Sequence, residues 1–138
     1  MSNNESPTVP PSRDATYFDQ WYRDMATSLI RDAIFAKTLG LPAELLSTSL
    51  LSWDGIAEVV TALRLTREQT LLDLACGRGG YGIEVARRSG AHLLGVDFSG
   101  VALEQARRSA GRALPSGSHD FVVGSLTATG LPQVRRTP

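Results

Sequence analysis

The sequence predicts an α/β fold built on an open parallel sheet, and three observations carry that expectation. Short apolar runs at 70–74, 92–97 and 120–123 alternate with segments of helical spacing at 80–89 and 100–112, the pattern of strands joined by crossover helices. The first run, Thr70-Leu71-Leu72-Asp73-Leu74, breaks directly into Ala75-Cys76-Gly77-Arg78-Gly79-Gly80-Tyr81-Gly82. The second run closes on Asp97, fifteen residues after Gly82. A strand that gives way to glycines and then a helix lets a ligand lie against bare backbone, and an acid about twenty residues past the first glycine can grip a ribose. The layout is that of a nucleoside pocket.

Taken in order, residues 1–14 are rich in Ser, Asn and Pro and cannot bury enough apolar surface to offset their ordering entropy, which predicts a disordered arm. From Tyr17 onward, Phe18, Trp21, Tyr22, Met25, Leu29 and Ala33 recur at helical spacing. One long amphipathic helix is expected, ending near Gly40 and Pro42. A short helical piece over Pro42 to Ser47 follows. A third helix is expected from Asp54 to Leu65, with Ile56, Val59, Val60 and Leu63 on one face and Ser52 or Asp54 as N-cap.

The alternating half then reads as a strand at Thr70 to Leu74, a helix at Gly80 to Ser89, a strand at His92 to Asp97, a helix at Gly100 to Arg112 and a strand at Asp120 to Val123. Ala102, Ala106, Ala110 and Ala113 form a small-residue stripe that would let the second of these helices sit close to the sheet, with Ser99 as its N-cap. The crossovers should be right-handed.

Composition narrows the function classes. A length of 138 residues with 42% hydrophobic content fits one domain with a real core. Fourteen basic residues balance fourteen acidic ones, so no net field draws the chain to nucleic acid or an anionic membrane, and a small-molecule or protein substrate is favoured over DNA. The single cysteine, Cys76, has no internal disulfide partner, and His92 and His119 have no ligand at metal spacing, so no metal is expected. Neither a secretory signal nor a run of eighteen apolar residues is present, which predicts a cytoplasmic protein.

Asp73 separates two ligand classes. A pyrophosphate wants helix N–H groups and no neighbouring negative charge, whereas a carboxylate four residues ahead of Gly77 suits a sulfonium or an ammonium. S-adenosylmethionine carries both cations. With Asp73-x-x-x-Gly77-x-Gly79 and Gly95-Val96-Asp97-Phe98-Ser99 in place, residues 71–107 resemble the first two motifs of the class I S-adenosylmethionine-dependent methyltransferases of bacterial small-molecule type. The likeness extends over roughly residues 15–132.

The resemblance implies a Rossmann-like methyltransferase fold, here the N-terminal half of the parallel sheet with strands one to three and N-terminal helices. Residues 15–66 would be a helical lid segment, 67–132 the cofactor-binding half and 133–138 a tail. It also implies a cofactor set of Asp73, Ala75, Gly77, Gly79, Asp97, Phe98, Ser125 and Leu126. Gly77 and Gly79 would admit the methionine part of the ligand to the backbone, and Gly82 would pack the following helix on the sheet. Asp97 offers two acceptor oxygens to a vicinal diol, Phe98 would pack on adenine, and Ser125 and Leu126 would line the adenine pocket. Asp73 would hold the ammonium or order the loop that does.

Plainer readings stand beside these. The glycines also suit an ordinary tight turn, and Asp73 also suits a strand end that caps the turn. Tyr17, Phe18, Trp21, Tyr22 and Trp53 are expected as core packing, with a lid over the cofactor as the alternative. Arg78 is expected as a solvated surface arginine, with a charge at the pocket mouth as the alternative, and Cys76 as a small loop filler. No catalytic residue is assigned.

Two rival functions share the pattern. Gly77-x-Gly79-x-x-Gly82 with Asp97 also meets a nicotinamide dehydrogenase fingerprint, which Asp73 opposes. In the family the sheet continues past its first strand, whereas here Gly124 to Pro132 leads only into Gln133-Val134-Arg135-Arg136-Thr137-Pro138. A truncated or frameshifted chain, broken close to Pro132, is the expectation. It leaves one edge of the first strand unpaired and makes a non-catalytic remnant the other rival.

Overall fold

The computed structural model of the chain describes residues 13–46 and 49–131. The expected arm before residue 13, Ser47, Pro132 and the tail 133–138 lie outside the described residues. Three strands, β1 (Thr70–Leu74), β2 (His92–Asp97) and β3 (His119–Val123), form one parallel sheet in the order β1-β2-β3. Leu72 pairs with Leu94, and Leu94 with Asp120, so all three C-terminal ends open on the same side. Among the described residues β1 has a neighbour on one side only, and Leu72 and Leu74 on it are exposed.

Two helices connect the strands: α4 (Gly80–Ser89) and α5 (Gly100–Ala113). They close a core of Ile83, Ala86, Leu93, Leu103, Ala106, Ala110, Leu114 and Phe121. The alanines of α5 permit the close approach expected of them, with one correction. Ala113 is exposed, and the inward place at that end is taken by Leu114, where the backbone has already left the helix at φ −119° and ψ 153°. Gly95 has a specific reason to be glycine, because a Cβ there would stand 2.5 Å from the Phe121 ring and 3.0 Å from Cys76 Sγ.

The N-terminal part departs from the expected single helix. It forms α1 (Ala15–Thr27) and α2 (Leu29–Leu39), broken at Ser28, whose φ of −99° and ψ of 75° are not helical. Thr27 Oγ1 donates to the Asp24 carbonyl at 2.8 Å, the kind of local side-chain bond that competes with helix continuation. Past the break the apolar phase no longer faces the core. Leu29 and Ile30 are 80% and 76% exposed, and Ala33 is exposed as well. The helical piece expected from Pro42 is, among the described residues 42–46, a turn closed by Leu45 N–H on the Pro42 carbonyl at 3.1 Å.

Helix α3 (Trp53–Leu63) starts one residue earlier than expected, with Ser52 Oγ accepting from Gly55 N at 3.0 Å. It stops before Leu65 because Arg64 enters the left-handed region at φ 50°. Ile56 is its buried anchor, whereas Leu63 is exposed. Among the described residues no helix is long and apolar enough to cross a membrane.

Candidate functional site

The site lies where β1 and β2 end. The loop from Ala75 to Gly79 turns the chain from β1 into α4 through three positive-φ residues: Ala75 at 56°, Gly77 at 54° and Gly79 at 80°. Glycine accepts this region without a Cβ penalty, so Ala75 is the position where the turn costs most. Cys76 N–H donates to the Val96 carbonyl at 3.0 Å, and Gly79 N–H to the Cys76 carbonyl at 2.9 Å. The loop is thereby stitched both to itself and to β2.

Asp97 is the centre of this stitching. Its Oδ2 accepts the Gly77 N–H at 2.8 Å and its Oδ1 accepts the Ser99 N–H at 2.9 Å, while the residue is only 5% exposed. Ser99 Oγ accepts from Ala102 N at 3.1 Å and so caps α5, as expected. Helix start, strand end and glycine loop share one hydrogen-bonded corner.

A cavity of about 330 Å³ opens beside that corner, lined by Ala75, Val96, Asp97, Phe98, Ser125 and Leu126 among others. It brings together five of the eight residues singled out in the sequence. The Phe98 ring is held by Phe18 of α1, centroids 5.3 Å apart. The Ser125 hydroxyl is engaged in its own turn, accepting from Ala128 N at 3.0 Å and lying 3.1 Å from Thr127 Oγ1.

A second, smaller cavity of about 210 Å³ adjoins it and is lined by Asp73, Ala75, Cys76, Arg78 and Tyr81 among others. Ala75 belongs to both walls. Burial, and after it the negative charge of Asp97, raises the Asp73 carboxyl from 3.8 to about 6. A Cβ on Gly82 would run into Asp73 Oδ2 and come within 3.2 Å of Leu93, so the glycine makes room for the carboxylate beneath α4. Burial, followed by the charges of Asp73 and Asp97, pushes the Cys76 thiol up to about 12, which keeps it protonated.

Gly77 and Gly79 line neither cavity. Gly77 gives its N–H to Asp97, and a Cβ on Gly79 would sit 3.1 Å from Ala106 and 3.2 Å from Ile83. They shape the loop.

Arg78 corrects the sequence reading. It is 2% exposed rather than solvated, and its two terminal nitrogens donate to Asp32 of α2 at 2.9 and 3.0 Å. Asp19 of α1 was also missed: it accepts from Ser99 Oγ at 2.6 Å. Their partners lie 46 and 80 residues away, so no local pattern announces either acid. The aromatic group forms a chain of edge contacts from Tyr17 through Phe18 and Trp21 to Tyr22, of which Tyr22 is buried in the core, Phe18 and Trp21 are half-buried and Tyr17 is exposed. Trp53 is apart from it, beneath the Arg88 guanidinium at 4.4 Å.

A crevice at the C-terminal ends of parallel strands, beside a glycine loop and an acid, defines an α/β protein of Rossmann-like type. Residues 71–135 match the family described as a methyltransferase domain. The chain is similar to a solved S-adenosylmethionine-dependent methyltransferase from Thiobacillus denitrificans in complex with S-adenosyl-L-homocysteine, at 33% identity over 53% of this chain and 29% of that one, with a TM-score of 0.48. Magnesium protoporphyrin IX methyltransferase from Synechocystis, solved with the same ligand bound, matches at 19% identity over 82% of this chain and 52% of that one, with a TM-score of 0.51, and shares the fold. The chain spans under a third of the length of the first solved structures it resembles. No curated protein matches it.

Proposed function

We propose that this chain carries the S-adenosylmethionine-binding part of a methyltransferase that passes a methyl group to a small-molecule acceptor. One observation carries the reading: Ala75, Asp97, Phe98, Ser125 and Leu126 line a single cavity at the strand ends, with Asp73 in the cavity that adjoins it. In this reading residues 15–66 are the lid segment and 67–132 the cofactor half. A cytoplasmic setting is part of the reading and rests on the sequence alone.

The groups present suit that ligand. Each Asp97 oxygen accepts one backbone N–H, and a carboxylate oxygen has capacity for a second bond, so two acceptor positions remain for a vicinal diol. Val96, Phe98 and Leu126 give the base apolar walls, with the Phe98 ring held in place from α1. Asp73 supplies negative charge at the neighbouring wall, where the ammonium of the amino-acid portion would lie. The bound cofactor brings a methyl group already activated by its sulfonium leaving group. What the protein adds is orientation and exclusion of water, which together with proximity account for much of such a displacement.

Isothermal titration of the purified chain with S-adenosylmethionine, S-adenosylhomocysteine and NAD tests the reading. Micromolar binding of the sulfur ligands without binding of NAD is the expected result. A folded chain that binds none of them, or binds NAD alone, overturns it.

A further inference from the structure

Two acids of the N-terminal helices reach the site without lining it. Asp32 of α2 pairs with Arg78, which stands between Gly77 and Gly79 in the loop and lines the smaller cavity. Asp19 of α1 accepts from Ser99 Oγ at 2.6 Å and from Val101 N at 3.4 Å. Ser99 is the neighbour of Phe98 and donates its own N–H to Asp97. One acid thus ends on the glycine loop and the other on the diol-binding corner.

The energetics of α2 make its tie consequential. It contributes no fully buried residue to the core, and Leu29, Ile30 and Ile34 on it are 80%, 76% and 59% exposed. In the pair with Arg78 the arginine side chain is nearly excluded from solvent, at 1% exposed, and the Asp32 side chain is 25% exposed. Removing the Asp32 carboxylate takes a two-point partner from a buried guanidinium, a loss that is strongly destabilising where the remaining charge stays buried and that falls on the loop carrying the arginine.

We propose that Asp32 and Asp19 are positioning residues: they latch the N-terminal helix pair onto the loop at 76–79 and the turn at 97–101, so that both are held in binding geometry before a ligand arrives. The inference rests on the reading of the cavities given under Proposed function. It predicts that two side chains outside the cavities control the order of the loops that form them.

The test uses amide hydrogen exchange of the ligand-free full chain, alongside titration with S-adenosylhomocysteine. For Asp32→Asn, exchange over 29–39 and 76–79 should rise at least about tenfold while β2 stays protected, and affinity should fall about tenfold, as expected for a broken buried pair. Asp32→Glu keeps the charge and should restore both readouts toward wild type. Asp19→Asn should act on 97–101 instead, and it decides the matter if Asp32→Asn does not fold. Unchanged exchange at 76–79 in Asp32→Asn, or at 97–101 in Asp19→Asn, overturns the proposal, as does a Glu variant no better than the Asn variant. If the wild-type chain binds no S-adenosylhomocysteine, the proposed function falls and the exchange measurements judge the latch alone.

Discussion

Asp97 accepts the backbone N–H of Gly77 at 2.8 Å, a bond that joins residues twenty apart in the chain and fixes the loop against the end of β2. The carboxylate therefore has structural work before any ligand binds. Asp97→Asn replaces one of its two accepting oxygens with an amide donor that faces an N–H. Loss of a charge-assisted bond of this kind costs about 1.5–3 kcal/mol, so both the melting temperature and S-adenosylhomocysteine affinity should drop, the latter by roughly tenfold or more. Calorimetry and a thermal melt check this, and an Asn variant equal to wild type in both would remove Asp97 from the centre of the site.

Gly82 and Asp73 form a pair in which absence of a side chain serves a carboxylate. Gly82→Ala places a methyl group into Asp73 Oδ2, and overpacking of this kind typically costs about 1–3 kcal/mol. In the Asp73→Ala background the same change should cost much less, because the obstructing atom is gone. A double-mutant cycle in urea measures the coupling, and additive costs would place the obstruction elsewhere.

The Asp73 carboxyl titrates at about 6 in the folded chain against a usual value of 3.8. The folded state therefore keeps a proton that the unfolded chain has released. The stability contributed by this group is full below 3.8 and is lost as pH rises through about 6. Asp73→Asn should remove that part of the pH dependence, read as the difference between wild-type and variant unfolding curves across the window. A cationic ligand selects the ionised carboxylate, so on the proposed reading S-adenosylmethionine binding should weaken below about pH 6 and release a proton, whereas binding by the Asn variant should be flat. Titrations in buffers of different ionisation enthalpy read the proton directly.

Cys76 offers an internal probe, since it is the only thiol in the sequence. Pushed up to about 12 by burial and by two nearby carboxylates, it holds almost no thiolate near neutrality. A chromogenic disulfide reagent near pH 8 should modify the folded chain at least about a hundredfold more slowly than the unfolded chain. Equal rates would mean that the loop opens freely.

The alternating half was legible because its punctuation is local. Glycines after β1, Gly90 after α4 and Ser99 before α5 mark the boundaries, and α4 and β2 run as read from the sequence. Asp97, Phe98, Ser125 and Leu126 were legible for a related reason: in a parallel sheet, residues just past successive strands must converge at one end. The break at Ser28 was not, since Leu29 and Ala33 continue the apolar phase of α1 and no Gly or Pro marks the place, where Thr27 Oγ1 bonds the Asp24 carbonyl. Arg78 was misjudged because a lone arginine among glycines resembles a loop residue in water until its partner, 46 residues earlier, is in place. Ala113 kept the spacing of the buried alanines, but the chain left the helix there and turned Leu114 inward.

Ala75 lines both cavities and holds a backbone angle that most side chains avoid. Ala75 is therefore a wall common to the two chambers, and a molecule that reaches from one to the other must pass it. Two short fragments, one for each chamber, would lie against this same residue, and joining them would raise their effective concentration without adding a contact. Enlarging residue 75 would shorten both chambers at once, leaving the separate pieces a place to bind and the joined molecule none.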